Sequence, residues 1–168
     1  AANSQQVRLE LITTWAYYFE GKRAFEGNRT LFETGGLEKP VFQAFRLLSR
    51  LGQERLSLQV AGSPSSAVEV DGLASRSADG SVAVAVWNFV ENPTENADAL
   101  ADVHIQGLST SRLRLFHYRI DGDHSNTYTK WKALGKPEFL TEAQLSILAD
   151  TQGLELYEPP RVIEITGD

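Results

Sequence analysis

The stretch from Leu9 to Phe32 restricts the fold more than any other part of the chain. Its first half is a short apolar run of β-branched and aromatic residues, with Leu9, Leu11, Ile12, Thr13, Thr14, Trp15, Tyr17, Tyr18 and Phe19. It is too short for a membrane span and suited to a buried strand. At Glu20 the character changes to charge, glycine and isolated aromatics (Gly21, Lys22, Arg23, Phe25, Glu26, Gly27, Asn28, Arg29), which predicts a long loop leaving the strand's C-terminal end. Gly35-Gly36-Leu37-Glu38-Lys39-Pro40 then leads into a segment where Val41, Phe42, Phe45, Leu48 and Leu51 recur at helical spacing. Pro40 suits the first helical position, Arg46 and Arg50 lie toward the negative end of the dipole, and Gly52 is a natural C-cap. Strand, long loop and amphipathic helix make one βα unit. In α/β barrels such strand ends and loops hold ligand groups, because the strand fixes them while the loop varies.

After Gly52 the period changes from helical to two. Leu56, Leu58 and Val60 share one face, and AGSPSSA (61–67) is turn or linker material. Val68, Val70 and Leu73 predict a short strand or two, interrupted by Asp71-Gly72. Asp79-Gly80 is a turn signal opening SVAVAVWNF, in which Val82, Val84 and Val86 alternate with Ala83, Ala85 and Trp87 as in a central strand covered on both faces. Pro93 marks the polar segment 90–102 as an exposed loop. Val103–Ile105, Leu113–Tyr118 and Arg161–Ile165 read as further strands. Short strands spaced by turns argue a β-sandwich. The exception is 140–153, where Thr141 and Gln144 form a capping-box pattern, Leu145 and Leu148 an apolar face, and Gly153 a stop.

Two stretches also resemble a known family. Thr14-Trp15-Ala16-Tyr17-Tyr18-Phe19-Glu20 and Lys39-Pro40-Val41-Phe42-Gln43-Ala44-Phe45-Arg46 resemble the last barrel strand and helix of glycoside hydrolase family 39, which includes bacterial β-xylosidases and α-L-iduronidase. Tyr118-Arg119-Ile120-Asp121, His124-Ser125-Asn126, and Trp131 followed by Leu134-Gly135-Lys136-Pro137 look like the long loop by which that family's accessory sandwich docks on its barrel. The resemblance spans roughly residues 7 to 165. It implies a chain that is mainly β with some α: residues 1–52 as the last βα unit of a TIM (β/α)8 barrel, and 53–168 as an antiparallel β-sandwich with a docking loop at 117–137. It implies retaining glycosidase chemistry, in which one glutamate is the nucleophile and another the acid/base. Both would stand on earlier barrel strands, so no catalytic residue is expected within this chain. A β-xylosidase acting on xylo-oligosaccharides or on aryl or alkyl xylosides is the expected activity. No cofactor is implied, and the other partner would be the rest of the barrel. Self-association is left open. The bacterial members imply a cytoplasmic or periplasmic setting.

For substrate binding the candidates are Trp15, Glu20 and Phe25. A carboxylate at the strand end can accept hydrogen bonds from sugar hydroxyls while an indole offers its apolar face as a platform. Trp15 reads equally well as barrel core, and Phe19 and Phe25 more readily as packing. Glu20 and Glu26 are the tempting catalytic pair, yet nothing in the sequence imposes the carboxyl separation of about 5 Å that a two-step displacement needs. A metal reading of His117, Asp121, Asp123 and His124 lacks a helical histidine pair or EF-hand spacing; an ordered loop is expected there, its Asp and Asn side chains bonding turn amides while Tyr128 and Trp131 pack inward. Lys22, Arg23 or Arg29 could serve a substrate carboxylate under an iduronidase-type specificity. Asn28-Arg29-Thr30 matches a glycosylation acceptor and nothing more. The competing class is a non-catalytic carbohydrate-binding or docking sandwich, which leaves the first βα unit without purpose.

Composition limits these readings further. In 168 residues, 42% hydrophobic, a sizeable core can be buried. Sixteen basic against 22 acidic residues, a net charge of −6, with no basic block, argue against nucleic acid or anionic membrane as partner. The absence of cysteine excludes disulfides and thiolate metal sites. The chain shows no signal-peptide pattern and no run of about 18 apolar residues. Methionine is absent even at position 1, which predicts a chain beginning after its translation start.

Overall fold

In the computed structural model, residues 13, 16–18, 21, 23–27, 29–61, 68–90 and 98–165 are described. They are mainly β with some helix, and the sheets are antiparallel. The chain divides into two compact units, residues 1–44 with 119–155, and residues 45–118 with 156–168. Most of the stretch at 117–137 therefore belongs to the same unit as the N-terminal segment. The predicted buried strand across Leu9–Phe19 lies largely outside the described residues; within it, Ala16 forms a parallel bridge with Thr30, whereas Tyr17 and Tyr18 are exposed and not buried as the apolar run predicts.

Helix α1 runs Pro40–Leu48, beginning at the proline as expected. It stops four residues short of Gly52, so that glycine is not its cap. Gly52 instead lies against the backbone of Arg76: a Cβ built on it would stand 2.1 Å from both the carbonyl carbon and oxygen of Arg76. Its N–H donates to Ser75 Oγ at 2.8 Å, so glycine is required by close approach and not by a left-handed turn.

In the second unit, β1 (Glu54–Leu56), β2 (Val68–Arg76) and β3 (Val82–Val90) form an antiparallel sheet in that order. The β2–β3 hairpin pairs Arg76 with Val82 and runs out to Val68 opposite Val90. Its turn is the one Asp79-Gly80 predicts: Gly80 takes φ 83°, its N–H donates to Ser77 O at 3.0 Å, and Asp79 Oδ1 accepts from the Ser81 amide at 2.9 Å. Several expectations need correction. Asp71-Gly72 does not interrupt the strand, because both residues keep their ladder partners Trp87 and Val86. Nor is β3 covered on both faces: Val86, Trp87 and Phe89 are all exposed. The strand predicted from Leu56 to Val60 ends at Leu56. Val103–Ile105 is not a strand either, since alternation makes a strand only where a backbone partner exists, and among the described residues none pairs with it. A second ladder joins β4 (Arg112–Leu115) to β5 (Arg161–Glu164); strands are predicted at both places, but β4 ends at Leu115 and does not run on to Tyr118.

In the first unit, α2 (Thr127–Ala133) stands where an ordered loop is predicted. Asn126 caps it, its side chain accepting from the Thr129 amide, and Thr127 and Trp131, four apart, both turn inward. Helix α3 (Glu142–Asp150) carries the predicted capping box between Thr141 and Gln144. The core of this unit is Ala24, Leu37, Trp131 and Leu148, with Phe25, Leu134, Leu140 and Leu145 packed against it.

Candidate functional site

Residues 23–26 of the loop that follows Glu20 are held by backbone and side-chain bonds. Ala24 N–H donates to Glu138 O at 2.9 Å, and the Arg23 side chain reaches Glu138 Oε1 at 2.7 Å. Arg23 is thus paired with a carboxylate within its own unit. Glu26 is exposed, accepts from the Arg23 amide at 2.8 Å and closes a tight turn. Phe25 sits in that turn at φ 53°, a left-handed conformation that costs a residue bearing Cβ about 1–2 kcal/mol. Its ring lies 4.9 Å from that of Trp131 and 5.5 Å, edge-on, from that of Tyr128. Of the two aromatics expected to pack inward, Trp131 does so, its Nε1–H donating to Pro137 O at 3.0 Å. Tyr128 does not; it is 42% exposed, with the Lys132 ammonium over its ring.

Below this turn lies an arrangement that patterning does not announce. Phe32 and Glu38 pair across a turn at Thr34–Gly36, where Gly35 and Gly36 take φ 81° and 79°. That pairing brings Glu33 against Lys39. The Glu33–Lys39 ion pair is formed by side chains only 4% and 12% exposed. The second carboxylate oxygen of Glu33 accepts from the Phe25 amide at 3.0 Å, and Lys39 Nζ donates to Thr30 Oγ1 at 2.8 Å. Burying two charges is tolerable because each is paired and hydrogen-bonded. A cleft of about 310 Å³ opens beside them, lined by Phe25, Tyr128, Glu33, Lys39 and the first residues of α1, together with Gly27 and Asn126. That volume is at the low end of small-ligand sites.

Of the predicted binding residues, Phe25 lines this cleft, while Trp15 and Glu20 lie outside the described residues. Glu33, Lys39, Asn126 and Tyr128 are cleft residues missing from the sequence-derived set. The signal for the ion pair was a carboxylate beside Leu31 and Phe32, followed by Gly35-Gly36 and then by a lysine six residues on.

The histidine and aspartate cluster resolves into a loop. Asp121 Oδ1 accepts from the amides of Asp123 and His124, both at 2.8 Å, and meets His124 Nδ1 at 2.9 Å, while its other oxygen pairs with Arg119. The His117 ring lies 4.8 Å from that of Tyr157, tilted by 51°. Burial raises the Asp121 pKa, but the Asp123 amide, the His124 ring and the His124 amide together outweigh it and lower it from 3.8 to about 2. A carboxyl whose pKa falls on folding contributes stability above the unfolded value and loses it as pH drops through the folded one. Asp121→Asn is therefore expected to cost about 1–2 kcal/mol at pH 7, allowing for partial exposure. It should also flatten the loss of stability between pH 4 and pH 2, which urea melts at a series of pH values will measure.

Comparison with known proteins bears on what this site serves. The family model described as glycosyl hydrolases family 39 matches residues 14–168. A curated β-xylosidase of Geobacillus stearothermophilus is 24% identical over 143 residues, which cover 85% of this chain and 26% of that protein. The chain thus spans about a quarter of the length of that relative.

Proposed function

The chain belongs to glycosyl hydrolases family 39, and on that premise we propose that it is the C-terminal part of a retaining β-xylosidase. The observation that carries this reading is the family match from Thr14 to the C-terminus, strengthened by a relative that bears that name. In this reading residues 9–52 supply the last strand and helix of a (β/α)8 barrel, and 53–168 a β-sandwich with its docking loop. The exposed Leu48 on α1 is then a surface that a neighbouring barrel element would cover.

The mechanism divides the labour. The nucleophile and the acid/base are glutamates that this chain does not supply. Trp15, Glu20 and Phe25 bind the sugar, Glu20 by accepting from hydroxyls and the rings by covering an apolar face. Such contacts help catalysis only when a reacting carboxylate is present to use the alignment. Purified by itself and assayed on aryl xylosides, the chain should give no turnover above buffer. Hydrolysis that Glu20→Gln abolished would contradict the reading and restore a carboxylate pair within the chain.

A non-catalytic carbohydrate-binding sandwich is the second reading, favoured by Trp87 and Phe89, both exposed and two apart on one face of β3. Retention of the chain on xylan, lost in Trp87→Ala, would favour it.

A further inference from the structure

We propose that Glu33 is a positioning residue for sugar binding: its carboxylate, neutralised by Lys39, holds the Phe25 backbone in its left-handed turn and so aims the Phe25 ring into the cleft. The inference rests on the reading of Phe25 as a sugar contact. Phe25 takes φ 53°, which a bulky side chain keeps only where its surroundings determine it, and residues held this way concentrate at functional sites. Ring packing against Trp131 and Tyr128 restrains the side chain. The backbone is held by the bond from Phe25 N–H to Glu33 Oε2, at 3.0 Å.

Glu33 suits that task because it cannot easily move. It is 4% exposed, its own N–H donates to Leu37 O at 2.8 Å, and its carboxylate faces Lys39, which is in turn tied to Thr30. The turn at Thr34–Gly36 is thereby linked, through Glu33, to Phe25, eight positions before Glu33. The ligand such an arrangement serves is a neutral pyranose ring, whose C–H face lies on Phe25 and Tyr128 while its hydroxyls meet the polar side chains among the lining residues. A platform ring helps only when presented at the right angle, and its support is what sets that angle.

The test uses the complete enzyme carrying these 168 residues. Phe25→Ala should raise KM for an aryl xyloside about fivefold to tenfold with kcat little changed, as loss of uniform binding does. Glu33→Gln cannot satisfy both Lys39 and the Phe25 amide. It should raise KM about threefold to tenfold, speed hydrogen exchange of the segment 23–27, and add nothing further in the Phe25→Ala background. An unchanged exchange rate in Glu33→Gln, or a KM effect that adds fully to that of Phe25→Ala, would overturn the positioning role while leaving Phe25 as a sugar contact. If Phe25→Ala leaves KM unchanged, the sugar-contact reading falls, and this inference with it.

Discussion

Gly52→Ala is expected to destabilise the protein by about 3 kcal/mol or more, the largest effect of any glycine change in the described chain. The added Cβ would stand 2.1 Å from the Arg76 carbonyl and 2.4 Å from the Ser77 nitrogen, all backbone atoms that no rotamer change can move. Relief requires the segment at Gly52 to back away from β2, which breaks the bond from Gly52 N–H to Ser75 Oγ and leaves that hydroxyl, 2% exposed, without this donor. Two other glycines calibrate the result. Gly80→Ala meets nothing within 4 Å but must hold φ 83°, so about 1 kcal/mol is expected. Gly122 lies in open space without a positive φ, so Gly122→Ala should fall within about 0.5 kcal/mol of the parent. Urea melts of the three variants check the order; equal losses at Gly52 and Gly122 would mean that the close approach to Arg76 does not exist.

Gly52 also shows where reading the sequence succeeds and where it stops. Local signals with a local cause were legible. Pro40 starts α1, the Thr141/Gln144 box starts α3, and Asp79-Gly80 turns β2 into β3. Features set by distant partners were not. A glycine at the end of a helical pattern looks like a cap, and only the position of Arg76, twenty-four residues on, gives it another purpose. Asp71-Gly72 looks like a break, but the ladder to β3 carries the strand through it. Helix α2 was hidden because its stretch is short and polar, and its inward face is only Thr127 and Trp131. Val103–Ile105 alternates as a strand would and has no strand partner among the described residues.

The site follows the same rule. Phe25 could be singled out as an isolated aromatic on a loop after an apolar run. Its left-handed backbone could not, because the cause is a carboxylate eight residues away, brought there by a turn and paired with a lysine. Tyr128 reaches the cleft from a segment about a hundred residues further on, a distance over which no period or spacing carries information.

The most direct test of the claim that this chain contributes the sugar-binding strand end and loop of a glycosidase compares Glu20→Gln with Glu26→Gln in the complete enzyme. Glu20 falls where the apolar run ends, in the Thr14–Glu20 stretch that resembles the family. A carboxylate there would accept from sugar hydroxyls within a desolvated pocket. Hydrogen bonds to a charged group are worth about 1.5–3 kcal/mol, so Glu20→Gln should lower kcat/KM on an aryl xyloside by about tenfold to a hundredfold. Glu26 is exposed and accepts only from the Arg23 amide in the interactions described, and a glutamine oxygen can do the same. Its substitution should therefore change the rate by less than about threefold. Both variants should melt within a few degrees of the parent. A tenfold or greater loss at Glu20 with none at Glu26 is the predicted result; equal effects at both, or no effect at Glu20 with an unchanged melting temperature, would show that the sugar binds elsewhere.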